Sequence, residues 1–501
     1  MKRFFLIVMM TVAAMAALTA CGEGETTPLD LSVVPNPVSM VGCGKSVNIQ
    51  EKPDIKTRID KKLAPEEYIL DTHKGRIEIT GGSEAGVFWG RQTLAQIVAQ
   101  CGDEIPGLII QDKPVFAYRG AHLDCCRHFF TVDEVKTFID MIALHKINVF
   151  HWHLTEDQGW RAEIKQYPRL TEVGSVRAET LVGHYGSNQY DGTPYGGFYT
   201  QDEMRDVVAY AAERFVTVIP EIEMPGHASA ALASYPELGC RGKDYPYKVQ
   251  TTWGVFPEVL CVGNPETFTF LERVLDEICD IFPSEYIHIG GDEAPREEWE
   301  KCPKCQALMK EKGFTREAEL QSYLNNVIED YLAQKGRRII GWDEILDGGV
   351  SQSATVMSWR GTSGGIAAAK MGNDVIMTPY SHFYLDYYQT GDPKGNGEPL
   401  AIGGNLPLSK CYSFDPYDQL NDDEKAYIKG IQANLWTEYI ATFDHVQLMV
   451  LPRLAALAEV AWCPENRTEY PVFVKRIETG LLPIYKERGY NYADFAFRGI
   501  E

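Results

Sequence analysis

Residues 287–294 read IHIGGDEA, an apolar run that breaks at two glycines and ends in two adjacent carboxylates. Neighbouring side chains on an extended strand point to opposite faces, so Asp292 and Glu293 can face one pocket only if the backbone has left the strand before them. Gly290 and Gly291 permit that turn. Taken alone, the eight residues favour a strand that ends in a solvated acidic loop. Whether the two acids form a site therefore depends on the rest of the chain.

Eight short β-rich runs of this kind follow residue 117, and several are separated by helical patterns. The helical stretches at 132–146, 201–215 and 317–335 carry apolar residues at spacings of three and four. Eight parallel strands with intervening helices over roughly 350 residues are typical of an α/β fold, the (β/α)8 TIM barrel with enlarged loops. The predicted strands are YRGAHLD (118–124), INVFHWHL (147–154), FVTVIPEIEM (215–224), YIHIGGDE (286–293), RRIIGWDE (337–344), ATVMSW (354–359), DVIMTP (374–379) and IQANLW (431–436).

A smaller unit precedes the predicted barrel. The segment EYILDTHKGRIEITGG (67–82) alternates, and AGVFWGRQTLAQIVAQC (85–101) has the apolar spacing of one amphipathic helix. We therefore predict a small α+β N-terminal domain at 22–114, the catalytic barrel at 115–475 and a C-terminal segment at 476–501 packed on the barrel. A chain of 501 residues with 45% hydrophobic content is long enough to bury such a core.

Residues 1–20 have the layout of a lipoprotein export signal, with Lys2 and Arg3, an apolar stretch, and small residues before Cys21. The run Leu-Thr-Ala before Cys21 resembles a bacterial lipobox, so we predict lipid attachment there; an ordinary cleaved signal is the alternative. The formal charge of -22 argues against a basic face for nucleic acid or anionic membrane. We expect a protein of the bacterial envelope, on the periplasmic or cell-surface face of the outer membrane, with membrane contact only through the lipid.

The remaining cysteines follow no framework of paired spacings. Cys302-Pro-Lys-Cys305 is half of a zinc-ribbon spacing, but no second half lies near it in the sequence, so we interpret this pair as structural, either a bridge or free thiols. Cys240 and Cys261 are placed to bracket a loop disulfide in an oxidising compartment. We expect the activity to need no cofactor and no metal ion.

Acidic, histidine and tryptophan residues collect at the C-terminal ends of the predicted strands, where such barrels carry their chemistry. Each one alone is more often a packing residue than a ligand contact, but together they predict a pocket of carboxylates walled by tryptophans. Indole faces and carboxylates suit a sugar ring, which has apolar faces and a hydroxyl edge. Two adjacent acids also suit glycoside cleavage, which needs one protonated and one ionised carboxyl group. The residues on this rim are Asp124, Arg127, His128, His153, Glu156, Asp157, Glu221, Glu223, His227, Asp292, Glu293, Trp342, Asp343, Glu344, Trp359, Arg360, Tyr384, Asp386, Trp436 and Glu438.

Eight motifs carry a resemblance to a known family: HIGGDE, YRGAHLDCCRHF, NVFHWHLTEDQGWR, EIEMPGHASAAL, GWDEIL, MSWRG, YLDYYQ and ANLWTEY. They resemble the family 20 glycoside hydrolases, the β-N-acetylhexosaminidases, from about Ala117 to Trp462. The resemblance implies an exo-acting, retaining enzyme that releases terminal β-linked N-acetylglucosamine or N-acetylgalactosamine from a glycan or oligosaccharide. In that family the substrate's own 2-acetamido oxygen attacks the anomeric carbon and forms an oxazolinium ion.

The resemblance also implies a role for each matching residue. Glu293 would be the general acid and base, Asp292 would hold the acetamido N–H, and Tyr384 would donate to the acetamido oxygen. A second group would bind the sugar: Arg119, Trp342, Trp359, Asp386, Trp436 and Glu438. A third group would support the acids from behind: His153, Glu156, Asp157 and His227. Many relatives carry Asp-Asp where this chain has Glu156-Asp157, so either the longer Glu156 or Asp157 would support His227.

Two other classes of protein stay open. His151-Trp-His153 at a strand end resembles the His-x-His metal motif of zinc-dependent barrel amidohydrolases, although the fifth and sixth predicted strands end in Trp342 and Trp359, which are not metal ligands. A non-catalytic, glycan-binding surface lipoprotein is the other alternative, although it has no need for an intact set of catalytic acids.

Overall fold

The computed structural model describes residues 27–50 and 52–500. The predicted export signal and Cys21 lie outside these residues. Within them, no helix combines the length and the apolar character that a membrane crossing requires.

The N-terminal region folds as the predicted small α+β domain. Its strands are β1 (Ser39–Gly42), β2 (Val47–Asn48), β3 (Ile55–Ile59), β4 (Tyr68–Asp71), β5 (Ile77–Gly81), β6 (Glu104–Ile105) and β7 (Leu108–Asp112). Five of them form a sheet in the order β1-β7-β4-β5-β3, and β2 pairs with β6. Ser83 caps the start of helix α1 (Glu84–Gln100), and its side chain accepts a hydrogen bond from the Ala85 N–H. The apolar face of α1, including Trp89 and Ile97, packs on this sheet.

Eight parallel strands close into a barrel, so the predicted fold class is confirmed. The strands after β7 are β8 (Tyr118–Asp124), β9 (Val149–His153), β10 (Thr155–Glu156), β11 (Gly159–Trp160), β12 (Val176–Arg177), β13 (Tyr195–Gly196), β14 (Thr217–Glu221), β15 (Tyr286–His288), β16 (Arg338–Trp342), β17 (Thr355–Ser358), β18 (Val375–Met377) and β19 (Ile428–Ala433). The barrel order is β8, β9 and then β14 to β19, with β19 pairing back to β8. The last strand begins at Ile428, before the predicted start at residue 431.

Helices surround the barrel and fill the long loops. The predicted stretch 132–146 forms a helix at Val132–Leu144, where Thr131 and Glu134 make a reciprocal cap at the start. The helices after α1 are α2 (Val132–Leu144), α3 (Arg169–Glu172), α4 (Gln201–Ala212), α5 (Ser229–Ser234), α6 (Pro265–Ile281), α7 (Glu297–Lys301), α8 (Pro303–Lys312), α9 (Ala318–Gln334), α10 (Ser363–Met371), α11 (Tyr380–Phe383), α12 (Pro393–Asn396), α13 (Leu408–Tyr412), α14 (Phe443–Val450), α15 (Arg453–Trp462), α16 (Tyr470–Gly480), α17 (Leu482–Glu487) and α18 (Phe495–Arg498). The predicted boundary at residue 475 falls inside the continuous helix α16.

The interior of the barrel changes from apolar to polar along its axis. Tyr118, Val149 and Ile219 pack together in an apolar cluster inside the barrel, and the first two of them begin their strands. Further along the strands, His122 lies beside His151 in the register of β8 and β9. The polar layer thus lies toward the C-terminal ends of the strands, where barrels of this kind carry their active sites.

Two buried cations join the barrel to the N-terminal domain. The guanidinium of Arg119, at the start of β8, donates to Glu66 at 2.6 and 3.0 Å. The Lys146 ammonium, after α2, donates to Asp112 at 3.0 Å. Both cations are fully buried, and removing one partner of a buried pair costs about 3–5 kcal/mol. The junction between the two domains is therefore part of the protein interior.

Candidate active site

The acid pair leaves the strand by the glycine turn that the sequence predicts. Gly290 and Gly291 have φ values of +64° and +92°, and Glu293 itself has φ +44°, a conformation that side-chain-bearing residues rarely adopt. A Cβ atom on Gly290 would collide with the carboxylate of Glu223. The Asp292 side chain is 11% exposed and the Glu293 side chain 40% exposed. One acid is thus enclosed and the other faces solvent.

His227 links the two acids to a second pair of carboxylates. Its Nε2 atom lies 3.6 Å from Asp292 Oδ2 and 3.6 Å from Glu293 Oε2. Its Nδ1 atom lies 2.7 Å from Glu156 Oε1 and 3.0 Å from Asp157 Oδ2, so both residues of the Glu-Asp variant support the histidine. Burial alone would lower the pKa of His227, but Glu156, followed by Asp292 and Asp157, raises it well above its ordinary value. His227 therefore presents an N–H to the acid pair.

Two further carboxyl groups next to Asp292 are held neutral. Burial, together with Asp292, raises the pKa of Glu223 well above its ordinary range. Burial, followed by Asp292 and Asp343, raises the pKa of Glu344 to about 9. The carboxyl groups of Glu223 and Glu344 therefore add no negative charge beside Asp292. Asp292 Oδ1 is buried and has no hydrogen-bond partner within the described ranges.

The structure contradicts the placement of Arg119 in the sugar site and brings Arg127 there instead. Arg119 is the second residue of β8, so it lies about 17 Å from the C-terminal end of that strand at about 3.3 Å per residue. Arg127 follows the strand, and its guanidinium binds Glu156 at 3.0 Å and Asp124 at 3.3 Å. It also lies 5.0 Å from the ring centre of Trp436. The position of Arg127 just after the end of a predicted strand was the feature of the sequence that could identify it as a site residue.

Aromatic side chains wall one side of this pocket. The ring of Trp359 stacks on that of Tyr384 at 5.8 Å, and Tyr384 lies 6.4 Å from Trp436. A backbone bridge to Asn434 fixes Tyr384 beside β19. Burial raises the pKa of the Tyr384 hydroxyl well above its ordinary value, so this hydroxyl remains a donor. Trp342 is almost fully buried beneath the wall, 5.8 Å from Trp436.

Two further acids of the pocket, Asp386 and Glu438, lie two residues after the wall residues Tyr384 and Trp436. Burial, followed by the proximity of Glu438, raises the pKa of Asp386 well above its ordinary range. Burial also raises the pKa of Glu438, and the nearby charge of Arg127 offsets part of this increase. Asp386 Oδ1, like Asp292 Oδ1 and both carboxylate oxygens of Glu223, is buried and lacks a partner among residues 27–50 and 52–500.

A closed histidine cluster lies below the pocket, around Glu221. His151 Nε2 lies 3.0 Å and His288 Nδ1 2.9 Å from its carboxylate; His153 also binds it, and Trp342 donates to it at 2.7 Å. The carboxylate and its histidine partners are fully buried. A catalytic zinc keeps one position open for water or substrate, which this enclosure does not provide. The His-x-His motif therefore belongs to the support beneath the site.

Sequence comparisons match both domains. The model described as glycosyl hydrolase family 20, catalytic domain, matches residues 116–465, and the model of the family's domain 2 matches residues 25–113. A β-hexosaminidase of Porphyromonas gingivalis is 48% identical over 441 residues, which are 86% of this chain and 55% of that protein. This chain thus spans about half the length of that relative.

Solved structures agree with the sequence comparisons. The crystal structure of a β-N-acetylhexosaminidase has a TM-score of 0.84 and 31% identity, covering 93% of this chain and 97% of the other. The exo β-N-acetylglucosaminidase of Vibrio harveyi in complex with N-acetylglucosamine has a TM-score of 0.81 and 32% identity, covering 93% and 80%. The catalytic-domain match covers more than half of this chain, and the chain belongs to glycosyl hydrolase family 20.

Proposed function

We propose that this protein is an exo-acting, retaining β-N-acetylhexosaminidase that releases terminal β-linked N-acetylglucosamine or N-acetylgalactosamine from glycans. Family membership supports the class of reaction. The Vibrio harveyi structure with bound N-acetylglucosamine supports an N-acetylhexosamine as the substrate. Family 20 is one of the known exceptions among retaining glycosidases, in which the substrate's acetamido group replaces a protein nucleophile.

The buried, unpaired Oδ1 atom of Asp292 is the observation that carries this proposal. A buried acceptor without a partner costs about 1–3 kcal/mol, so a ligand N–H that reaches Asp292 Oδ1 is favoured. The acetamido N–H of the sugar is such a donor. When Asp292 holds that N–H, and the hydroxyl of Tyr384 binds the acetamido oxygen, this oxygen is aimed at the anomeric carbon. Orientation of this kind can lower a barrier by several kcal/mol.

The contrast between the two acids matches the two roles that the reaction requires. Glu293, which faces solvent, gives its proton to the glycosidic oxygen while the bond from that oxygen to the anomeric carbon breaks. The acetamido oxygen forms its bond to the same carbon, and enclosed Asp292 offsets the positive charge on the oxazolinium ion. Glu293 then takes a proton from a water molecule as this water attacks the anomeric carbon. The bond from the acetamido oxygen to that carbon breaks, which opens the oxazolinium ring and gives net retention.

The remaining polar residues of the pocket are suited to the sugar hydroxyls. Arg127 offers N–H groups that its contacts with Glu156 and Asp124 hold in place. Asp386 Oδ1 lacks a partner in the described part of the chain and would accept from a hydroxyl group. Trp436, which lies beside Arg127 and is partly exposed, would contact the sugar ring. The pocket thus contacts both the apolar face and the polar edge of one terminal sugar.

A panel of aryl substrates tests the proposal. We expect hydrolysis of 4-nitrophenyl β-N-acetylglucosaminide, β-N-acetylgalactosaminide or both, with the β-anomer of the free sugar appearing first by NMR. The matching β-glucoside, with a hydroxyl group at C2, should be almost inert. Fast hydrolysis of the glucoside, or an α-anomer as first product, would refute the mechanism. Binding of N-acetylhexosamine without turnover of any substrate would instead indicate a glycan-binding protein.

Replacing the proposed acid separates proton donation from binding. Glu293→Gln should lose most of its turnover on a natural disaccharide and less on a dinitrophenyl substrate, because an activated leaving group needs little protonation. Glu300→Gln, at an exposed acid on the following helix α7, is the matched control and should behave like the wild type. Equal losses on both substrates would remove Glu293 from the acid role.

A further inference from the structure

Four cysteines meet in the two loops that carry His227 and the acid pair. Cys240 and Cys261 belong to the loop after β14, and Cys302 and Cys305 to the loop after β15. The four thiols are free, so the disulfide that the sequence allows between Cys240 and Cys261 is not formed. The fold thus brings two further cysteines, Cys240 and Cys261, to the Cys302–Cys305 pair, which has no second Cys-x-x-Cys pair near it in the sequence. All four sulfur atoms lie within 4.8 Å of one another.

The spacing of the sulfur atoms is that of a tetrahedron around one metal ion. Zinc–sulfur bonds of about 2.3 Å place the sulfurs of a tetrahedral tetrathiolate about 3.8 Å apart. The observed Sγ–Sγ distances are 3.9 Å for Cys240–Cys305, 3.6 Å for Cys261–Cys302 and 3.7 Å for Cys261–Cys305. A disulfide would require about 2.05 Å. The arrangement therefore fits four ligands of one ion better than it fits two bridges.

The surroundings of two of the four sulfurs, those of Cys302 and Cys305, favour the thiolate form that a metal requires. Cys302 is the N-cap of helix α8 and Cys305 lies in its first turn, where the partial positive charge of a helix N-terminus stabilises thiolates. The Gly263 N–H donates to Cys305 Sγ at 3.4 Å. A Cβ atom at Gly263 would collide with the backbone of Lys304 and Cys305. A glycine is thus needed at the position that brings this donor to the sulfur.

We infer that Cys240, Cys261, Cys302 and Cys305 bind one structural Zn²⁺ ion. Four sulfur ligands complete its coordination, and Cys261, Cys302 and Cys305 are buried, so the site is closed, as structural zinc sites are. The ion fastens the loop after β14 to the loop after β15. These loops also meet where the Trp299 indole donates to the Leu260 carbonyl oxygen at 3.0 Å. The zinc takes no part in the reaction; it holds two loops at fixed distance.

Metal analysis of the purified full-length protein tests this inference. We expect about one zinc per chain, and a mercurial reagent that titrates the thiols should release it to a colorimetric chelator. Cys240→Ser, at the least buried of the four ligands, should lower the zinc content and the Tm. Cys279→Ser is the matched control, because this half-buried cysteine lies on α6, outside the cluster. Reconstitution with Co²⁺ should give the strong visible bands of a tetrahedral tetrathiolate.

The wild-type protein alone can overturn the inference, even if the serine variants fail to fold. Zinc-free protein in which peptide mapping finds the four cysteines as disulfides, or as unmetallated thiols, would refute it. Iron in place of zinc would refute the choice of metal. Glu293→Gln should retain its zinc while it loses turnover, so the test of zinc binding does not depend on the proposed reaction.

Discussion

Replacing Asp292 by asparagine keeps the shape of the side chain and removes its charge. Because the pKa of His227 is raised well above its ordinary value, its Nε2 carries a proton and attracts the amide oxygen of the new residue. The amide NH₂ group then turns toward the acetamido N–H, and a donor faces a donor. Loss of one preorganised group that stabilises transition-state charge costs about 3–4 kcal/mol, which is a loss of about 10²–10³-fold in kcat.

Steady-state kinetics on 4-nitrophenyl β-N-acetylglucosaminide measure this effect. KM should change much less than kcat, since the contacts with the sugar hydroxyls remain in place. A stable thiazoline mimic of the cyclic intermediate should bind the wild type far more tightly than Asp292→Asn. Asp330→Asn, at an exposed position on α9, controls for the substitution itself. A rise in KM at unchanged kcat, or a covalent glycosyl adduct trapped on Asp292, would mean that this reasoning is wrong.

Three further outcomes are expected. Arg127→Lys should lower kcat/KM by about 10–100-fold, whereas Arg119→Lys should lower the Tm and leave KM unchanged; the reverse pattern would return Arg119 to the sugar site. Since the pKa of Glu344 is raised to about 9, the native state keeps a proton that the unfolded chain releases, and stability falls as pH rises from about 4.5 toward about 9. Glu344→Gln should flatten that decline in Tm; an unchanged profile would show that another group causes it. Cys21→Ser should move the protein from the membrane fraction to the soluble fraction without altering its kinetics, and a wild type that is already soluble would contradict the lipid anchor.

Residue pattern alone was sufficient to predict the barrel, because each strand is a short apolar run followed by a polar rim. The turn at Gly290 and Gly291 was equally readable, since adjacent acids cannot share a face on a straight strand. The error at Arg119 came from matching a motif without applying the polarity of the strand. Arg119 is the second residue of β8 and Arg127 follows the end of that strand, so the direction of the chain separates the two arginines.

Contacts between distant loops could not be predicted in the same way. Cys240 and Cys305 are 65 positions apart, and a barrel strand, β15, lies between them. Only the closed barrel brings the ends of neighbouring strands together. The same holds for Glu221, whose histidine partners come from both adjacent strands. Local spacing identifies residues that can take part in a site, whereas strand order decides which of them meet.

The buried ion pairs between the N-terminal domain and the barrel limit how freely either domain can be exchanged between relatives. A barrel separated from residues 27–113 would leave the charges of Arg119 and Lys146 without Glu66 and Asp112. Two uncompensated cations would make the shortened chain unstable, whatever the quality of its catalytic rim. The two regions therefore form one cooperative folding unit. Chimaeras between relatives should transfer both regions together, and a junction near residue 115 is a poor place to recombine them.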